Sequence, residues 1–123
     1  MIIQESGEMY LETILILSQE KKVVRSIDVA EYMGFSKPSV SRAMGLLKEQ
    51  GFIVIDKNGY ITLTEEGNKR ASSIYERHNV ISEILQQIGV SSETAIEDAC
   101  RIEHYISEET FQALKKHLNS HKN

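Results

Sequence analysis

Apolar residues recur every three or four positions along most of the chain, and this spacing is typical of amphipathic helices. It predicts helices over residues 8–17, 26–33, 37–50, 65–88 and 93–106, with a last helix after residue 107. Residues that commonly begin and end helices lie at these boundaries. We predict N-caps at Ser26, Ser36, Thr64, Ser92 and Ser107, and helix ends at Gly34, Gly51 and Gly89.

Two short runs rich in β-branched and aromatic residues, at 52–55 and 60–63, interrupt the helical pattern. They flank Asp56-Lys57-Asn58-Gly59, where Asn-Gly is a strong hairpin signal because both residues accept a positive φ. A helix, two short helices and a hairpin follow the order of a winged helix-turn-helix. We predict a mainly α protein with a small β-hairpin. A winged helix-turn-helix DNA-binding domain occupies residues 1–72, and an all-α domain occupies 73–123.

Composition and charge narrow the class of protein. With 41% hydrophobic and 26% charged residues, the 123-residue chain has the balance of a soluble globular protein. Its single cysteine fits a reducing cytoplasm, and no apolar run predicts a membrane span. The net charge is −4, but residues 21–57 contain seven Lys and Arg against four Asp and Glu, whereas residues 73–123 contain five against eight. This asymmetry favours nucleic-acid contact by the first half.

The second helix of the predicted helix-turn-helix begins with small hydroxyl and cationic side chains. In such units this helix enters the DNA major groove with its N-terminal residues. Hydroxyls, cations and the helix N-terminus bind phosphate, and arginine can grip guanine with two hydrogen bonds. A lysine at the hairpin tip would contact phosphate. The predicted contacts to double-stranded DNA are Ser36, Lys37, Pro38, Ser39, Ser41, Arg42 and Lys57. A solvated helix face is the simpler alternative.

The segment Cys100-Arg101-Ile102-Glu103-His104 carries the candidate metal chemistry. On a helix, positions three and four apart share a face, so a thiolate, a carboxylate and an imidazole would point the same way. These are ligands that transition metals prefer. The segment is too short to complete a site, and the candidates to complete it are Met9, Glu12 and His78. The alternative is a partly buried helix face with a hydrogen-bonded histidine.

Four pieces occur in one order: EMYLET near the start, the winged helix-turn-helix, ERH before a long apolar stripe, and CRIEH. In these pieces the chain resembles the metal-dependent repressors of the diphtheria toxin repressor and manganese transport regulator family. The resemblance covers residues 8–118. It implies a homodimer whose N-terminal domain binds DNA and whose C-terminal helices dimerise and hold metal. The metal ligands that it implies are Met9, Glu12, His78, Cys100, Glu103 and His104.

The resemblance is mixed with respect to the metal. Iron-type members have Met and Cys at the places of Met9 and Cys100, where manganese-type members have carboxylates. Glu12, by contrast, matches the manganese-type pattern, and Ser82 stands where iron-type members have a second-site carboxylate. Because thiolate and thioether ligands favour softer ions than Mn(II), we expect Fe(II), with Mn(II) the close alternative. Co(II), Ni(II) and Zn(II) are expected to bind in vitro.

The expected function is therefore repression of transcription in iron or manganese homeostasis, with the divalent metal as co-repressor and a palindromic operator as partner. No enzyme activity, membrane contact or small organic substrate is expected. The expected dimer interface comprises Ile84, Leu85, Phe111, Leu114 and Leu118. Two alternatives are a winged-helix regulator that is independent of metal or senses redox state through Cys100, and a small metalloenzyme using the carboxylates for hydrolysis.

Overall fold

The computed structural model describes residues 5–120, in which six helices and a two-stranded antiparallel hairpin confirm the predicted mainly α fold. Two compact units, Met1–Ser72 and Ser73–Asn123, divide the chain. No helix in the described range is long and apolar enough to cross a bilayer. The elements are α1 (Glu5–Glu20), α2 (Ser26–Met33), α3 (Lys37–Glu49), β1 (Ile53–Ile55), β2 (Ile61–Leu63), α4 (Glu65–Gln87), α5 (Ser92–Ile102) and α6 (Glu108–Ser120).

The first unit encloses one apolar core, to which all of its elements contribute. The apolar stripes of α1, α2 and α3 meet the inward side of the hairpin there. The Ile61 N–H donates to the Val24 carbonyl at 2.7 Å, which ties β2 to the loop before α2. The hairpin therefore belongs to the same body as the helix-turn-helix. Fully buried members of this core include Leu11, Ile14, Val29, Val40, Met44 and Ile53.

The predicted helix starts are partly confirmed. The hydroxyl oxygen of Ser36 accepts the N–H of Ser39, as expected of an N-cap. The N-cap of α2 is Arg25 rather than Ser26, because the Asp28 carboxylate accepts the Arg25 N–H at 2.9 Å. Helix α5 is likewise capped one residue earlier than predicted, by Ser91 rather than Ser92.

The hairpin forms around Asn58-Gly59 as predicted, with a connection one residue longer than the four residues expected between the strands. Ile55 pairs with Ile61, so five residues connect the strands, and Gly59 has a φ of 81°. Asn58 does not share this conformation, since every described residue with positive φ is a glycine. The Asp56 carboxylate accepts the N–H of Asn58 at 2.8 Å and holds the turn instead. The connection is therefore a five-residue loop with one left-handed glycine.

The second unit has its own core between α4 and α6. It contains the buried side chains of Val80, Phe111 and Leu118, with Ile84 and Leu114 packed against them. Phe111 and Leu118 are each only 2% exposed and stabilise the chain's own fold. Their place in a dimer interface stays a prediction. Of the set predicted for that interface, the partly buried Ile84, Leu85 and Leu114 retain accessible surface.

Candidate metal centre and DNA-binding surface

The end of helix α5 shapes the candidate metal centre. The helix ends at Ile102 rather than at residue 106, and the Tyr105 N–H then donates to the Ile102 carbonyl in a tighter turn. Glu103, the C-cap, keeps helical dihedrals of −57° and −26°. Cys100 and Glu103 therefore still share one face. His104 lies in the turn after the helix, and its Nε2 atom lies 3.4 Å from Glu103 Oε1. Its place among the metal ligands stays a prediction.

His78 of α4 meets Cys100 and Glu103 at this face. Its Nδ1 atom lies 3.0 Å from Glu103 Oε2 and 3.8 Å from Cys100 Sγ. A nitrogen, a sulfur and an oxygen ligand atom thus lie within 4.8 Å of one another. Among the His, Cys, Asp and Glu side chains of residues 5–120, these three form the group that converges closely enough to hold a metal ion.

The carboxylate of Glu103 is the centre of this cluster, and it is fully buried. Its Oε1 atom has no hydrogen-bond partner in the described part of the chain, although His104 Nε2 lies 3.4 Å away. The His104 side chain is itself only 1% exposed. A buried carboxylate costs free energy unless it is paired or coordinates a cation. The orphaned oxygen and the mixed N, S, O donor set therefore fit a divalent transition-metal ion.

Met9 and Glu12 lie on α1 of the first unit, three positions apart and so on one side of that helix. The Met9 side chain is 36% exposed, which is high for a methionine that would serve only as core packing. Glu12 is partly buried. Their place among the metal ligands stays a prediction.

The start of α3 presents the side chains that were predicted to bind DNA. Ser36, Lys37, Pro38, Ser41 and Arg42 are exposed, and Ser39 is partly buried. The Ser39 hydroxyl oxygen accepts from the Ser36 hydroxyl at 2.8 Å and from Arg42 Nη2 at 3.5 Å. These bonds orient the Arg42 side chain along the first turn of the helix. Their contacts to DNA stay predictions.

Two cations at or beside the hairpin loop differ in their surroundings. Lys57 is exposed at the tip of the hairpin loop, and it forms no ion pair with any residue in the range 5–120. Arg25 lies 4.8 Å above the Tyr60 ring and donates from Nη2 to the Tyr60 hydroxyl at 3.2 Å. Arg25 thereby links the start of α2 to the end of the hairpin loop, and it escaped prediction because its partner is distant in sequence.

Arg77, which precedes His78, is a second arginine that the sequence pattern did not single out. Its side chain is 14% exposed, and it donates to the main-chain carbonyls of Glu103 and Ile106. Because these partners are main-chain carbonyls, a pattern of side-chain types does not indicate them. Proximity to a candidate ligand was the available signal for this residue.

Comparison with protein-family models matches nearly the whole chain. The model described as "Iron dependent repressor, N-terminal DNA binding domain" matches residues 3–61. The model described as "Iron dependent repressor, metal binding and dimerisation domain" matches residues 64–123. The candidate metal cluster lies wholly within the second match.

Known proteins are similar over most of this chain. The "Transcriptional regulator MntR" of Escherichia coli O6:H1 is 36% identical over 112 residues, which cover 91% of this chain and 72% of that protein. The solved structure of the manganese regulator SloR has a TM-score of 0.81 and 30% identity over 92% of this chain. That of the metal-dependent transcriptional regulator MtsR has a TM-score of 0.84 and 28% identity. Each match covers 53% of the solved chain, so this chain spans about half of their length.

Proposed function

The chain belongs to the iron-dependent repressor family, and from this premise we propose that it is a metal-dependent, DNA-binding repressor of transcription with a divalent cation as co-repressor. The observation that carries the proposal is the cluster of His78, Cys100 and Glu103, with its buried and incompletely paired carboxylate. On this proposal the unit up to Ser72 binds DNA, and the unit from Ser73 binds metal and dimerises.

Six side chains are proposed as metal ligands. His78, Cys100 and Glu103 form the core of the centre, and His104 adds a buried imidazole beside the second carboxylate oxygen. Cys100 binds as a thiolate and the histidines bind as neutral imidazoles, so acid weakens binding. Met9 and Glu12 are proposed to complete the coordination from α1. When bound, the metal supplies positive charge that compensates the buried carboxylate.

We propose Fe(II) as the physiological metal, with Mn(II) close behind. The thiolate of Cys100 and the thioether of Met9 support the softer ion. The carboxylates support Mn(II), as do the names of similar proteins such as the manganese regulator SloR. Because softer ligands raise affinity for many divalent ions, metal availability in the cell also enters the choice. The regulated process would be iron or manganese homeostasis.

The Cys100→Asp variant tests the contribution of the thiolate to metal choice. We expect Fe(II) affinity to fall by about tenfold or more relative to Mn(II) affinity, since a carboxylate replaces a soft ligand with a hard one. Anaerobic isothermal titration with both ions measures the ratio. Arg101→Lys, at the exposed neighbouring position, is the control. An unchanged ratio in Cys100→Asp would place Cys100 outside the coordination sphere.

The proposed partner is a palindromic double-stranded operator, read by α3 from each half of a dimer. Arg42→Ala should weaken operator binding by about 1–3 kcal/mol and relax sequence preference, while metal affinity stays unchanged.

Lys57→Ala should weaken binding to all DNA alike and lower the salt slope by about one unit. Fluorescence anisotropy at several salt concentrations separates the two effects.

Lys69→Ala is the matched control, because Lys69 is an exposed cation of the same unit that lies near Glu65 and Glu66. Normal operator binding by Arg42→Ala would mean that α3 is wrongly assigned as the recognition helix.

A homodimer is proposed to form through the second unit. Large apolar side chains there are accessible, with Ile88 at 72% and Ile96 at 45% exposure, and Leu85, three positions before Ile88, is partly buried. We expect the mass of two chains by analytical ultracentrifugation at micromolar concentration and physiological salt. Leu85→Glu should halve that mass, whereas Val54→Glu, on the exposed side of the hairpin, should not. A single-chain mass for the native protein would contradict the dimer.

A second candidate function rests on the exposure of Cys100, whose sulfur lies 3.8 Å from His78 Nδ1. An accessible thiol beside an imidazole suits a redox-sensing regulator that requires no metal. DNA affinity that responds to peroxide but not to metal would favour this alternative. Catalysis is not part of either proposal, because the family consists of transcriptional regulators.

A further inference from the structure

The guanidinium of Arg77 lies where the turn after α5, the start of α6 and α4 come together. Nη1 donates to the Ile106 carbonyl at 2.9 Å and to the Glu103 carbonyl at 3.4 Å. Nη2 donates to Glu108 Oε1 at 2.9 Å. The guanidinium carbon also lies 5.3 Å from the centre of the Phe111 ring, within reach of a cation–π interaction. One side chain thus contacts both ends of the turn that contains Glu103 and His104.

These contacts satisfy carbonyl groups that are left without helical partners at the end of α5. The last carbonyls of a helix have no partners within the helix, and a cation satisfies them while interacting favourably with the helix dipole. The Glu103 carbonyl is in this position, because α5 ends at Ile102. Arg77 therefore acts as a distant capping group for the segment that carries two proposed metal ligands.

Glu103 is held from two sides by neighbouring residues of α4. Arg77 contacts its main-chain carbonyl, and His78 contacts its carboxylate through Nδ1 at 3.0 Å. The orientation of the carboxylate toward Cys100 thus depends on both residues. Loss of the carbonyl contact would free the turn to rotate without removing any metal ligand.

Glu108 keeps the guanidinium in place. The pKa of Glu108 is lowered, first by a hydrogen bond from the Gln112 side chain and then by one from Arg77. Glu108 is therefore ionised at neutral pH and offers a charged acceptor to Nη2. The Nε atom of Arg77 is buried without a hydrogen-bond partner among the described residues, so the side chain is oriented through its two terminal nitrogens.

We propose that Arg77 is a positioning residue of the metal centre, which sets the metal affinity of the protein by fixing the turn that presents Glu103 and His104. This inference rests on the proposed function, because it takes the cluster at His78 to be a metal site. Arg77 touches no ligand atom of the cluster in the contacts described, and it acts through the main chain of Glu103.

The planar fork of arginine is needed for this arrangement. It directs one nitrogen to two carbonyls and another to a carboxylate while its face lies over an aromatic ring. A lysine ammonium is a point charge on a flexible stem and cannot reach these partners together. Arg77→Lys therefore keeps the charge and removes the geometry, which makes it the decisive variant.

The test is anaerobic titration of the full chain with Co(II), read by absorption. A thiolate-to-cobalt charge-transfer band reports the bond to Cys100, and the visible bands report coordination geometry. We expect Arg77→Lys to bind Co(II) about 10- to 100-fold more weakly than the native chain, as is typical when an outer partner of a ligand is lost. Its visible bands should also shift, because the Glu103 carboxylate is no longer fixed.

Two control variants separate positioning from general stability. Arg101→Lys makes the same change at a 75% exposed arginine next to Cys100, and it should leave Co(II) affinity and spectrum unchanged. Leu118→Val loosens the core of the second unit without changing a proposed ligand or a hydrogen-bond partner of Arg77, and it should lower the melting temperature without changing the spectrum. Arg77→Lys with native affinity and spectrum, whatever its melting temperature, would overturn the inference.

Glu108→Gln carries the test if Arg77→Lys does not fold. Glu108 is 65% exposed, so its substitution should be tolerated, and losing the charged acceptor should weaken Co(II) binding by about two- to fivefold. Unchanged affinity in that variant would overturn the inference. Failure of the native chain itself to bind Co(II) would instead overturn the proposed function, and Arg77 would have no metal site to position.

Discussion

Replacing Glu103 with glutamine is expected to lower affinity for Fe(II) and Mn(II) by about 100-fold or more while leaving the metal-free protein folded. The amide has nearly the same shape as the carboxylate but carries no charge, so it is a poor ligand for either ion. The side chain is fully buried, with one oxygen 3.0 Å from His78 Nδ1 and the other without a hydrogen bond among residues 5–120.

The prediction also concerns the stability of the Glu103→Gln variant without metal. Burying a charge without full compensation destabilises a protein, and a neutral group of equal volume removes that cost. We therefore expect metal-free Glu103→Gln to melt at the same temperature as the metal-free native protein or at a higher one. A functional side chain is thus distinguished from a stabilising one, because mutation of the latter would lower the melting temperature.

Isothermal titration measures the affinities, and circular dichroism with a chelator present measures the melting temperatures. Glu97→Gln is the matched control, since it makes the same change at an exposed position of α5. Native metal affinity in Glu103→Gln would mean that the cluster of His78, Cys100 and Glu103 is not the metal site.

Metal is expected to raise operator affinity by about 5- to 150-fold, the range that a coupling free energy of 1–3 kcal/mol gives. On the proposed ligand set, which includes Met9 and Glu12 as well as His78 and Cys100, metal binding would be coupled to DNA binding. Metal binding would then favour the spacing of two α3 helices that fits successive major grooves. By reciprocity, operator DNA should tighten metal binding by the same factor.

The measurement compares operator affinity in chelator, in Mn(II) and in anaerobic Fe(II) at one salt concentration, because salt alone changes DNA affinity strongly. Met9→Ala and His104→Ala should lose the stimulation and keep the fold, since each removes one proposed ligand. Scrambled DNA of equal length is the control for charge. Equal affinity in all three conditions would reject the metal switch and leave a constitutive or redox-sensing regulator.

Local chemistry made much of the fold predictable. Apolar spacing, hydroxyl caps such as Ser36 and the glycine after α2 specify helices from neighbours within one or two turns. The shared face of the candidate ligands Cys100 and Glu103 was also predictable, because these residues lie three positions apart on helical backbone. These features depend on contacts between residues close in the chain, so the sequence by itself determined them.

Contacts between distant residues were decided only by the tertiary structure. The pairing of Ile55 with Ile61 set the longer hairpin loop, and the packing of α6 against α4 buried Phe111. The contacts of the buried Glu103 with His78 and Arg77 of α4 join residues that are 25 and 26 positions apart in the chain. A sequence pattern records which side chains are apolar or charged, but not which surface covers them. Burial of a charge and pairing of a main-chain carbonyl arise only when separate helices meet.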